Sequence, residues 1–142
     1  MRTGQPIIGR PAWYDRNPTA QESAYAGDGV APHDNTNRWT YTCPTGKKAM
    51  AEFMLVSATR KTAASAAGLV SCYINYMKSG TTEILLMEGR LYKNSVGDQA
   101  VAWAPQNIIL LPGDKLLCYT IDLSTGGTVD YRSALKVTEF DA

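Results

Sequence analysis

The sequence predicts an all-β fold: an antiparallel β-sandwich, jelly-roll-like, with an extended irregular N-terminal arm. Three observations predict it. Short runs with period-2 alternation of apolar and polar residues recur after Arg38, divided by Pro/Gly turn signals roughly every 8 to 14 residues. No stretch has the apolar spacing of an amphipathic helix of three turns. Residues 1–37 differ from the rest, holding Pro6, Pro11, Pro18 and Pro32, four of the seven prolines.

Proline lacks an amide donor and pushes the preceding residue toward extended geometry, so residues 1–37 are expected to be neither helix nor central strand. Ile7, Ile8, Trp13, Tyr14 and Tyr25 are spaced along them, more large apolar groups than a disordered segment keeps. The charges nearly cancel, Arg2, Arg10 and Arg16 against Asp15, Glu22, Asp28 and Asp34. The segment reads as an arm (1–37) lying on a surface, its own or a neighbour's, with those five residues as partner-binding anchors. Fully extended, it would reach on the order of 120 Å at about 3.3 Å per residue.

The sandwich domain is expected over 38–142. Arg38 to Cys43 is β-prone and stops at the turn Pro44-Thr45-Gly46-Lys47. Lys48 to Arg60 is a long run, with Ala49, Ala51, Phe53 and Leu55 on one side and Met50, Met54 and Val56 on the other, so both faces are expected to be covered. Thr62 to Gly68 is a loop or a single helical turn. Leu69 to Met77 and Thr81 to Glu88 form a hairpin across Lys78-Ser79-Gly80, and Leu91 to Gly97 is a loop. Asp98 to Ala104 alternates, Pro105 interrupts, and Asn107 to Leu111 resumes. After Pro112-Gly113-Asp114 comes a closing hairpin. Its first run puts Leu117, Tyr119, Ile121 and Leu123 on one face. Its second puts Val129, Tyr131, Leu135 and Val137 opposite Asp130, Arg132, Lys136 and Thr138, and Gly126-Gly127 makes the turn.

Composition narrows the function classes. A formal net charge of +1 gives no reason to expect nucleic acid or an anionic membrane as partner. No apolar run approaches the roughly 18–20 residues that span a bilayer, and Met1 to Pro6 lacks the apolar segment of a secretory signal, so folding in a cytoplasm is expected. Cys43, Cys72 and Cys118 are odd in number and far apart, which suggests neither a disulfide framework nor a zinc site. They read as buried packing thiols.

Chemistry is sparse. His33 is the one histidine and falls in the arm rather than on a rigid scaffold, and there is no GxSxG, HExxH or phosphate-cradling loop. No catalytic residue and no cofactor are predicted. Asp28, Asp34, Asn35 and Asn37 make an oxygen-rich cluster without EF-hand order, read as turn residues rather than metal ligands. Asp114 is expected to cap its own turn. Trp39 and Trp103, in strands, are expected in the core, as are Met50, Met54, Met77 and Met87. Lys47-Lys48 and Arg60-Lys61 read as solvated strand ends.

The segments YTCPTGKKAMAEFMLVSATR and IILLPGDKLLCYTIDLSTGGTVDYRSALKVTEFDA resemble small β-sandwich virion structural proteins of tailed bacteriophages. In those, a Pro-x-Gly-Lys turn precedes a long hydrophobic strand and a Gly-Asp turn leads into the closing strands. The resemblance covers residues 38–142 and leaves the arm without a counterpart. It implies a non-enzymatic capsid decoration (cement) protein that is part of a virion, is made in the host cytoplasm, forms a homo-oligomer, expected to be a trimer, and binds the major capsid protein. The alternative is a tail or fibre module recognising a host glycan or protein receptor through the loops Leu91–Gly97 and Thr62–Gly68.

Overall fold

Alternation along the chain resolves into nine strands: β1 (Thr19–Val30), β2 (His33–Thr42), β3 (Lys47–Thr62), β4 (Val70–Met77), β5 (Ile84–Leu91), β6 (Gln99–Ala104), β7 (Ile108–Leu110), β8 (Lys115–Asp122) and β9 (Thr128–Asp141). The structure, a computed structural model, describes residues 19–92, 95–104 and 107–141. Two antiparallel sheets face each other. The first has the order β1-β9-β3-β6, with β7 also pairing β3, and the second the order β2-β8-β4-β5. The pairs β1–β9, β2–β8, β3–β6/β7 and β4–β5 are nested around the Lys78–Gly80 turn. A long hairpin rolled over so that alternate pairs fall in opposite sheets is the jelly roll. Helix is absent among the described residues.

The core lies between the sheets. Ala49, Ala51, Met54, Val56 and Ala58 of β3 and Val129, Tyr131, Leu135 and Val137 of β9 meet Val70, Cys72 and Ile74 of β4 and Leu116 and Cys118 of β8. Along β3 the inward set changes phase between Ala51 and Met54. A bulge at Glu52 inserts one extra residue against β9, moving Phe53 and Leu55 to the outer face. The three cysteines are free and buried, as expected of packing thiols. Contact with Cys118, together with burial, holds the Cys72 thiol above its ordinary pKa.

Several expectations need correction. Residues 19–37 belong to the sandwich: β1 pairs with β9 along its length, and β2 begins at His33. Both are edge strands, where a Pro-rich neighbourhood is tolerated. The closing hairpin is not one, because β8 and β9 lie in different sheets and Ser124–Gly127 crosses between them. Gly126 and Gly127 have φ of 66° and 77°, and a Cβ at Gly127 would come 2.7 Å from the Thr62 carbonyl oxygen. In β8 the inward set is Leu116, Cys118, Thr120 and Asp122, and Leu117, Tyr119 and Ile121 share the other face as expected, with Leu117 still buried there.

Arg60, expected at a solvated strand end, is instead drawn between the sheets, because Asp122 of the opposite sheet is carried inward to meet it. Both side chains are fully buried, with Arg60 Nη1 3.6 Å from Asp122 Oδ2. Arg60 Nη2 donates to Ser124 Oγ at 3.1 Å, and the Ser124 amide donates to Asp122 Oδ1 at 2.9 Å. At the other end, Asp114 caps its turn as expected. It accepts the Leu111 and Ser79 amides at 2.9 and 3.1 Å and the Tyr76 hydroxyl at 3.2 Å. Burial opposes ionisation there, but those donors outweigh it and hold the carboxyl below its usual value.

Two outcomes are expected. Deleting residues 1–37 removes β1 and half of β2, and a thermal melt followed by circular dichroism should lose its cooperative transition. Asp122→Asn strands the Arg60 charge and should cost about 3–5 kcal/mol in urea denaturation, whereas Arg60→Met with Asp122→Leu should restore most of that.

Candidate functional site

The two sheets present outer faces of different chemistry. On the first, strand register sets apolar residues side by side. Leu55 of β3 lies between Ala134 of β9 and Trp103 of β6, Ser57 between Arg132 and Val101, and Met50 between Thr138 and Ile109 of β7. Trp103 is 62% exposed and Val101 51%. Phe53, Leu55 and Met50 are half-buried beside them. The expectation that Trp103 fills the core is therefore overturned, since pairing with Leu55 fixes it on the outer face. Met50 is likewise held out of the core, half-buried on that face. Trp39 does go inward, its Nε1 donating to Ser133 Oγ of the opposite sheet at 2.9 Å. Edge strand β6 (QAVAWA) carries no charge, and an exposed apolar edge without charges is open to another chain.

The outer face of the second sheet is polar and aromatic. Tyr73 of β4 and Tyr119 of β8 are cross-strand partners whose rings stack 5.4 Å apart at 22°. Tyr73 donates to Asn35 Oδ1 at 2.9 Å, Tyr119 to Glu83 Oε1 at 2.9 Å, and Asn75 Nδ2 to Glu83 Oε2 at 2.9 Å. Glu88, the β5 partner of Tyr73, accepts the Ser71 hydroxyl at 2.7 Å and Arg90 Nη2 at 2.8 Å. Arg90 Nη1 then reaches the Tyr92 hydroxyl at 3.3 Å. Beyond this strip lies an open groove of about 440 Å³ lined by Arg90, Leu91, Tyr92, Gly97, Asp98 and Gln99.

The wall of the groove is pinned to β3. The Arg60 amide donates to Asp98 O and the Gly97 amide to Arg60 O, both at 2.8 Å. The Asp98 carboxylate accepts the Ser95 amide at 3.0 Å, and Gln99 Nε2 donates to Thr59 Oγ1 at 3.1 Å.

Ile7, Ile8, Trp13 and Tyr14 lie outside the described residues. Tyr25 lies among the described residues. It sits in β1 opposite Ser133, half-buried against the core, with the Arg38 guanidinium 4.6 Å from its ring centroid. A Cβ at Gly27 would collide with that ring. His33 is engaged by Arg38 Nη2, 2.8 Å from Nε2, and its Nδ1 lies 2.6 Å from Asp34 O. The oxygen-rich cluster does not converge: Asp28 pairs with Lys61 at 2.9 Å, Asn35 serves Tyr73, and Asn37 Nδ2 donates to Trp39 O and Cys118 O. Among the described residues no group of acidic, His or Cys side chains could hold a metal ion, and no helix is long and apolar enough to cross a membrane.

Among solved structures the chain is similar to dimeric latent PorU from Porphyromonas gingivalis, with 12% identity and a TM-score of 0.54 over 87% of this chain and 13% of that one. It thus spans about an eighth of PorU's length, and at that identity the match shows a shared fold alone. Eiger TNF from S. frugiperda matches with 12% identity and a TM-score of 0.47 over 88% of this chain and 94% of that one. A chain of turnip yellow mosaic virus matches with 10% identity and a TM-score of 0.40 over 98% and 86%. No family model and no curated protein matches the sequence.

The sequence reading missed the Tyr73–Tyr119 platform and the Glu83, Glu88 and Arg90 side chains around it. A signal existed: Ser71, Tyr73 and Asn75 alternate against Cys72 and Ile74. The cross-strand register that joins Tyr73 to Tyr119 is a property of the sheet.

Burial, aided by the hydrogen bond to Glu83, pushes the Tyr119 hydroxyl up to about 12. The folded pKa lies above the unfolded value of about 10, so the contribution is complete below pH 10 and is lost as pH rises toward 12. Stability followed by urea denaturation across that window should fall with pH, and Tyr119→Phe should flatten the slope.

Proposed function

We propose that the protein is a non-catalytic structural component of a tailed-phage virion, a capsid decoration protein that associates with itself and with the major capsid protein. One observation carries this reading: the apolar outer face formed by Leu55, Phe53 and Met50 with exposed Trp103, Val101 and Ile109. Contiguous exposed apolar surface with an aromatic at its centre is the composition of a protein–protein interface. The pattern resemblance of residues 38–142 to phage virion proteins supplies the setting, and three copies meeting through this face would form the trimer. The side chains that could do chemistry have structural partners, His33 with Arg38, Asp122 with Arg60 and Asp114 with backbone amides.

Trp103→Glu in the full chain is the test, because Trp103 is exposed and its loss spares the core. Size exclusion with light scattering should give a trimer for the wild type and a monomer for the variant. Binding to expanded capsids should weaken by at least about tenfold, since lattice attachment multiplies weak contacts. An unchanged mass together with unchanged capsid binding would overturn the proposal.

A second reading is a tail or fibre module that recognises a host glycan or protein receptor. The groove beside the Leu91–Gly97 loop favours it.

A further inference from the structure

We infer that the groove at the β5–β6 corner, with the Tyr73–Tyr119 strip leading to it, is a binding site for a neutral saccharide. The inference deepens the second reading above and does not depend on assembly through the first sheet, whose edge strand β6 borders the groove through Gln99.

Size, shape and chemistry agree. A volume of about 440 Å³ falls within the range of small-ligand sites. Tyr92 is 56% exposed and offers an aromatic face for the apolar side of a pyranose. A sugar edge also needs fixed planar hydrogen-bonding groups. Gln99 is anchored through its Nε2 to Thr59, which turns its amide oxygen to other donors. The Asp98 carboxylate is oriented by the Ser95 amide and retains acceptor capacity. Gly97, at φ +89°, carries no side chain, and the space within 4 Å of where a Cβ would stand is open.

Charge selects among sugars. Among the described residues Arg90 is the one cation lining the groove, and Glu88 already engages it at 2.8 Å. The lining thus holds one guanidinium and one carboxylate, Asp98, and with Arg90 already paired to Glu88 outside the lining no uncompensated cation is left for sialic or uronic acids. Rigidity comes from the β3 backbone, since both Gly97 and Asp98 are bonded to Arg60. A wall held in place before binding lowers the ordering cost that otherwise weakens small-ligand affinity.

The test is an amide-resonance titration of the isotopically labelled full chain with glucose, galactose, mannose and N-acetylglucosamine, and with sialic acid and glucuronate. At least one neutral sugar should shift resonances confined to the segments around 71–73, 88–92 and 97–99. Tyr92→Ala and Gln99→Ala, both at exposed positions, should each weaken it by about tenfold, equivalent to about 1.4 kcal/mol. The same spectra report whether each variant is folded. Trp103→Glu should bind the sugar as the wild type does, which separates this site from the assembly face. Silence from every neutral sugar, binding that survives both groove substitutions, or a response to the acidic sugars alone would overturn the inference.

Discussion

Arg60 joins the two sheets at a fully buried ion pair. Its side chain is wholly buried and crosses the sandwich to Asp122, while its amide and carbonyl hold Asp98 and Gly97. A buried guanidinium is expensive, and the hydrophobic core alone would be better served by an aliphatic side chain. What the charge adds is position. A sheet of alternating apolar residues can slide over another with little loss, because dispersion contacts are individually small and non-directional. A charge pair with one partner on each sheet has a single favourable alignment. Ser124, bonded to both members, ties the crossover into β9 to the same point.

From that alignment the two outer faces follow. β3 and β9 form the spine of the first sheet, and the bulge at Glu52 turns Phe53 and Leu55 away from the core. Leu55 then meets Trp103 of an uncharged edge strand, with Val101 two residues along it beside Ser57. On the second sheet the same alternation sends Tyr73, Asn75 and Tyr119 outward, where hydroxyl and amide groups satisfy one another. One face carries an apolar strip along β3 and β6, flanked by Arg132, Lys136 and Thr138 of β9, and the other a hydrogen-bonded network around Tyr73 and Tyr119, with Ile84 and Leu85 exposed at its β5 edge. Apolar area gains free energy by leaving water, whereas a satisfied polar network gains little from a flat partner and retains its value as a platform.

The all-β class, most strand positions and the inward set of β9 were legible in the sequence because each rests on local alternation. Three features were not, for distinct reasons. The Gly126-Gly127 turn reads as a hairpin because glycine reports where the chain bends, not which sheet it enters next. Both alternation sets of β8 are apolar, Leu116 and Cys118 against Leu117, Tyr119 and Ile121. The inward set was decided by Asp122, whose partner lies in another strand some sixty residues earlier. The start of the domain was masked by composition, because Pro32 and the glycines of 27–29 mark the ends of edge strands as readily as they mark an irregular arm. The candidate groove was legible only as a loop, since its lining comes from β5, the following loop and β6, brought together by the rolled hairpin.

The nested pairing also explains why the groove lies where it does. In a rolled hairpin the first sheet ends in β6 and the second in β5, so these two edges face each other across the side of the sandwich. Gly89 allows the approach: a Cβ there would come 3.2 Å from the Ala100 carbonyl oxygen. A side chain there would require the Ala100 backbone to give by a few tenths of an ångström, whereas glycine leaves the close approach of the two edges undisturbed. The cleft is thus a consequence of topology, and its side chains set its chemistry. Copies arranged through the first sheet would carry this corner at regular spacing. A saccharide site too weak to hold a single receptor could then act through many simultaneous contacts. The apolar strip on β3 and β6 and the groove at the β5–β6 corner are both products of one folding pattern.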